Sequence, residues 1–114
     1  MSVKLSTRQI GDVSVVDVAG RITLGKGSSA LRDSVREMVG KGQKKILLNL
    51  GEVSYIDSSG IGELVSAFTT VTNGGGQLKL LNLTKRVKDL LQITKLYTVF
   101  DVHESEVSAI RSFV

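Results

Sequence analysis

The sequence predicts an α/β fold, a mostly parallel mixed sheet of about five strands with about four helices. Two observations lead there. Short β-branched or aliphatic runs alternate along the chain with segments whose apolar residues recur at helical spacing. Only the first two strand-like runs are joined by a bare turn dipeptide, Gly11-Asp12, so only that pair should be antiparallel.

The elements follow in order. Lys4 to Ile10 alternates weakly and can pair across the turn with Ser14-Val15-Val16-Asp17-Val18-Ala19, a β-branched run that Val13 extends. Leu31, Val35, Met38 and Val39 mark a first helix, with Ser28 or Ser29 as cap and Gly40 or Gly42 as stop. Residues 45–50 form a short apolar run that reads as a buried strand, and 52–56 lead out of it. Ile61, Leu64, Val65, Phe68 and Val71 mark a second helix, broken at Asn73-Gly74-Gly75-Gly76. Leu64, Val65 and Phe68 read as core, and Ala67 and Thr70 as exposed interface positions. Gln77 to Leu81 is the next strand, and Val87, Leu90 and Leu91 line a third helix. Residues 99–102 read as an edge strand. A last helix spans 104–114, with Val107, Ile110 and Val114 on one side.

The 114 residues fit one domain, 1–114. A hydrophobic fraction of 41% supports a core and argues against disorder. No Cys is present, which excludes disulfides, thiolate metal sites and a Cys nucleophile, and one His makes a transition-metal site improbable. No cofactor is expected. The net charge of +4 is spread out, and aromatics total 4%, so the dense basic stripe with stacking aromatics of a nucleic-acid binder is missing. Lys85, Arg86 and Lys88 read as a solvated face, with contact to an acidic partner as the alternative. No apolar run approaches the roughly 18 residues of a membrane helix, and Met1 to Ser6 lacks a signal-peptide core. A cytoplasmic protein, monomeric when free, is expected.

The segment Asp57-Ser58-Ser59-Gly60-Ile61-Gly62-Glu63-Leu64 follows a strand and opens a helix. In a parallel sheet that is where function concentrates. Asp57, Ser58 and Ser59 are all good N-caps, and the two glycines leave the first turn bare. A phosphate on a serine there would meet free N–H groups and the positive end of the helix dipole. It would add about two negative charges to an uncharged surface and block a partner. The residues alone support this switch and a plain capping cluster equally.

Leu48-Asn49-Leu50, Tyr55-Ile56-Asp57-Ser58-Ser59-Gly60-Ile61-Gly62, Gly75-Gly76-Gln77-Leu78-Lys79-Leu80 and Leu96-Tyr97-Thr98-Val99-Phe100 carry a resemblance over nearly the whole chain. The chain resembles the STAS domains of bacterial anti-sigma factor antagonists. The resemblance implies a non-enzymatic partner switch. Ser58 is the implied phosphorylation site, and Ser59 is the second choice. The unmodified form would bind an anti-sigma factor that is also a Ser kinase and so free the sigma factor, regulating transcription. Phosphorylation from ATP would dissociate the complex, and a metal-dependent Ser phosphatase would reset it. The implied docking face is helix 58–72 with the loop 20–30, which brings in Asp57, Ser59, Gly60, Gly62, Glu63, Thr23 and Gly25. Many members carry an acidic residue, an aliphatic residue and Asp after the second strand. Here Arg21-Ile22-Thr23 stands in that place, and losing acid and gaining base there would alter partner recognition.

Competing readings are a STAS module of another signalling pathway and a small nucleotide-binding domain using residues 20–30. Gly20 to Gly27 nearly matches a P-loop, but Gly27 stands where the Mg²⁺-binding hydroxyl belongs, and Asn49 where a metal-binding Asp belongs. Gly25 to Ala30 fits a dinucleotide fingerprint, but a loop separates it from the strand. A serine hydrolase would need a base near Ser58. His103 is the one candidate, and it reads as an exposed residue entering the last helix.

Overall fold

A computed structural model describes residues 3–23 and 25–113, with side chains for all of them except 26–28. The elements run β1 (Val3–Ile10), β2 (Val13–Ile22), α1 (Lys26–Gly40), β3 (Lys45–Ile56), α2 (Ser58–Asn73), β4 (Gln77–Leu81), α3 (Lys85–Ile93), β5 (Asp101–His103) and α4 (Glu106–Ser112). The sheet order is β1-β2-β3-β4-β5. The first pair is antiparallel and the other three are parallel, as the alternation of elements predicts. Gly11, at φ 60°, takes the turn between β1 and β2, where Ile10 pairs with Val13. That left-handed conformation is open to glycine without strain.

Strand residues point alternately to two faces, and each face has its own core. Val16, Val18, Ile46, Leu48, Leu50, Leu78 and Leu80 pack against Leu31 and Val35 of α1, Ile61, Leu64 and Val71 of α2, and Val87 and Leu91 of α3. Val13, Val15, Leu47 and Leu81 pack on the opposite face with Ala109 of α4 and Phe113 just beyond it. No helix among the described residues is long and apolar enough to cross a membrane.

Several expectations need correction. α1 begins at Lys26 with Gly25 as its cap, so Ser28 and Ser29 lie inside the first turn and are not caps. β3 does not stop at Leu50 but runs to Ile56, because β2 continues beside it to Ile22. Two register shifts along β2, between Asp17 and Ala19 and between Gly20 and Arg21, absorb the extra residues of β3. Asn49 repairs the first of them, since its Oδ1 accepts from the Gly51 N–H at 3.2 Å. Ala67 is buried at 3% exposure, because α2 meets both the sheet and α1 and needs a wider apolar arc than one stripe. The edge strand is Asp101–His103, while Phe100 is buried and meets Phe68 edge to face at 5.6 Å. In α4 the buried residues are Ala109 and, just beyond, Phe113, whereas Val107 is 60% exposed. Val114 lies outside the described residues.

The α4 face is tied down by polar groups. Lys79, only 8% exposed, donates to the carbonyl and hydroxyl oxygens of Ser112 at 3.0 and 2.8 Å, and pairs with Asp101 at 3.0 Å. Arg8 grips Asp17 in a fork at 2.6 and 3.0 Å and reaches Glu106 at 2.7 Å. Arg8, and less strongly the Asn49 amide, holds the Asp17 carboxyl below the usual carboxylate range against the opposing effect of burial. A depressed folded-state pKa gives stability that is present above the unfolded value and lost as pH falls through the folded one. Asp17→Asn should therefore lower stability to urea at neutral pH. That deficit should shrink steadily below about pH 4. A deficit unchanged in acid would show that the Asp17 charge contributes nothing.

Candidate functional site

β3 ends at Ile56, and α2 begins at Ser58 with a single residue between them. That residue, Asp57, is the cap: extended, at φ −112° and ψ −174°, its carboxylate accepts from the Gly60 N–H at 2.9 Å. Its own N–H donates to the Ile22 carbonyl at 3.4 Å, and its carbonyl accepts from Ile61 at 3.0 Å. Asp57 thus joins β2 to the first turn of α2. Of the three residues able to cap, the structure uses Asp57, which leaves the serines free of that duty.

Ser58 is exposed, and Ser59 is half-buried. The two glycines differ sharply. Gly60 is buried, and a Cβ there would lie 2.2 Å from the Ile22 carbonyl oxygen and 2.6 Å from Ile56 Cγ1. Gly62 is exposed, and a Cβ there would meet nothing within 4 Å. Glu63 is half-buried on the α1 side, with Oε2 3.4 Å from Arg32 Nη1 and Oε1 buried without a partner among the described residues. Thr23 is half-buried at the end of β2, and Gly25 is exposed at φ 98°. Gly25 accepts from the Ser29 N–H at 3.1 Å through its carbonyl. Asp57, Ser59, Gly60, Gly62 and Glu63 therefore share the start of α2 with Ser58, and Thr23 follows the β2 end on which Gly60 rests. Gly60 contributes by seating the helix, not by offering surface. Leu24 and the side chain of Lys26, on which a nucleotide loop depends, lie outside the described residues.

The hydrolase geometry is not assembled around Ser58. His103 is neither exposed nor at the start of a helix. It is half-buried in β5, with Nε2 3.1 Å from Asp101 and 3.5 Å from the Ser112 hydroxyl. It belongs to the polar cluster under α4, which gathered it there through Asp101 and Lys79.

One feature of the site escaped sequence reading. The Tyr55 ring holds two guanidinium groups, Arg21 at 4.5 Å and Arg86 at 4.4 Å from its centroid. Arg86 also donates through Nε to the Ile56 carbonyl at 3.2 Å. Arg21 and Tyr55 are register partners across β2 and β3, so a signal existed once β3 was extended. Arg86 comes from α3, and no local pattern points to it.

A family model for the STAS domain matches residues 4–109. The anti-sigma-B factor antagonist of Bacillus subtilis (strain 168) is 32% identical over 102 residues, covering 90% of this chain and 92% of the relative. The crystal structure of an anti-sigma factor antagonist from Mycobacterium paratuberculosis superposes with a TM-score of 0.86 at 19% identity, covering 98% of this chain and 94% of that one. The structure of the Bacillus cell fate determinant SpoIIAA in its phosphorylated form superposes with a TM-score of 0.74 at 19% identity, covering 95% and 97%. At such identities the two superpositions speak for the fold alone.

Proposed function

The chain belongs to the STAS domain family, and on that premise we propose that it is an anti-sigma factor antagonist, a non-enzymatic binding protein switched by phosphate on Ser58. Unmodified, it binds an anti-sigma factor that is also a Ser kinase. Phosphorylation releases it, and a Ser phosphatase restores it. The switch operates in the cytoplasm and acts on transcription through the freed sigma factor.

The supporting observation is the division of labour at the start of α2. Asp57 caps the helix and Gly60 seats it on β2, so Ser58 is exposed with no structural task of its own. Phosphate there adds about two negative charges beside Asp57 without disturbing the core. The free N–H groups and dipole of the first turn favour an anion at this end, so the modified form stays folded. The switch thus works through the surface that a partner meets. Ser59 is half-buried and is the poorer acceptor.

The test is to map phosphate by mass spectrometry on the chain purified from its own cells, beside a Ser58→Ala strain. Phosphate on Ser58 is expected, and Ser58→Ala should remove it and fix the sigma factor's target genes in the active state. Phosphate confined to Ser59 would move the switch by one residue. No phosphate under any growth condition would overturn it.

A further inference from the structure

We infer that Arg21, Tyr55 and Arg86 form a clamp that takes an acidic segment of the partner protein, alongside Ser58. This rests on the Ser58 face being the docking face. Both arginines are exposed, and neither belongs to an ion pair among the described residues. Because both lie against one ring, their charges are within about 9 Å of each other and repel. The ring face attracts each cation but neutralises neither. Two like charges are thus held together with no acid paired to either among the described residues, and carboxylates would relieve that repulsion.

The geometry is suited to carboxylates in particular. A guanidinium held over a ring still has N–H groups to offer, and a pair of them matches a carboxylate in a two-bond fork. Arg86 spends only Nε on the Ile56 carbonyl, so both of its Nη groups remain available. Tyr55 and the Ile56 carbonyl hold the side chains in place beforehand, which reduces the ordering needed on docking. The clamp is also well placed. The Ile56 carbonyl that holds Arg86 belongs to the peptide entering Asp57, the residue before Ser58. A partner lying over Ser58 therefore meets the clamp as well. The end of β2 at Arg21-Ile22-Thr23 carries a base and no acid, and so attracts such a segment.

The test needs no identified partner. Acetylated hexaglutamate is titrated into the unphosphorylated chain, with hexaglutamine as the uncharged control, and NMR follows the arginine Nε and Tyr55 ring signals. Saturable shifts are expected at Arg21, Arg86 and Tyr55 with hexaglutamate alone, weakening about tenfold or more between low and high salt. Arg21→Gln/Arg86→Gln should abolish the shift at the Tyr55 ring. Arg21→Lys/Arg86→Lys, which keeps the charge but not the planar fork, should weaken binding about threefold or more. Equal shifts at Arg36 and Arg111, or unchanged binding by the lysine variant, would overturn the clamp. The titration does not involve phosphate. A flat result leaves the Ser58 switch standing, and absence of phosphate on Ser58 leaves the clamp's acid recognition standing.

Discussion

Gly60→Ala should lower the melting temperature by about 10 °C or more, whereas Gly62→Ala, two residues on, should raise it by several degrees. The added Cβ at position 60 falls 2.2 Å from the Ile22 carbonyl oxygen, a backbone atom that cannot turn aside. The same oxygen accepts from the Asp57 N–H, so moving the helix start also breaks the tie between Asp57 and β2. Overpacking of this kind costs about 3 kcal/mol. At position 62 the new methyl meets nothing within 4 Å, and alanine is better than glycine inside a helix by about 1 kcal/mol. Thermal melts of the two variants decide the matter. Equal behaviour would mean that α2 does not sit on β2 as described.

Ser58→Asp should weaken partner binding about 100-fold or more while leaving the fold as stable as before, or slightly more so. Burying an unmatched charge in a docked surface costs about 2–5 kcal/mol. Within the free chain the same carboxylate lies exposed at the first position of α2, where the helix dipole favours it by about 0.5 kcal/mol. The two effects therefore have opposite signs, which is what separates a surface switch from a structural serine. Calorimetry with the anti-sigma factor, beside a thermal melt, reads both. Full binding by Ser58→Asp would remove the charge mechanism, and a large drop in stability would make Ser58 a structural residue.

The order of strands and helices was legible because it rests on local apolar spacing, and the parallel pairing follows from having a helix between strands. The start of α2 at Ser58 was legible because capping and turn chemistry are local too. What was not legible depends on contacts distant in sequence. The burial of Ala67 follows from α1 packing beside α2. The extension of β3 past Gly51 follows from β2 running alongside it. His103 and Lys79 lie under α4 because Asp101 and Ser112 meet them there. Gly60 and Gly62 are alike in sequence and opposite in structure, since only the Ile22 carbonyl tells them apart. Arg86 reaches Tyr55 from another helix, so the clamp could not be seen before the fold was.

The support of Ser58 and the surface around it are built from different residues. Gly60, the Ile22 carbonyl and the Asp57 cap hold α2 from below, while Arg21, Tyr55 and Arg86 sit on the rim and contribute no residue to the buried core. Rim side chains can therefore be exchanged with little effect on folding. A lineage that duplicates such a gene can alter the charge on the rim of one copy and leave the seating of α2 the same in both.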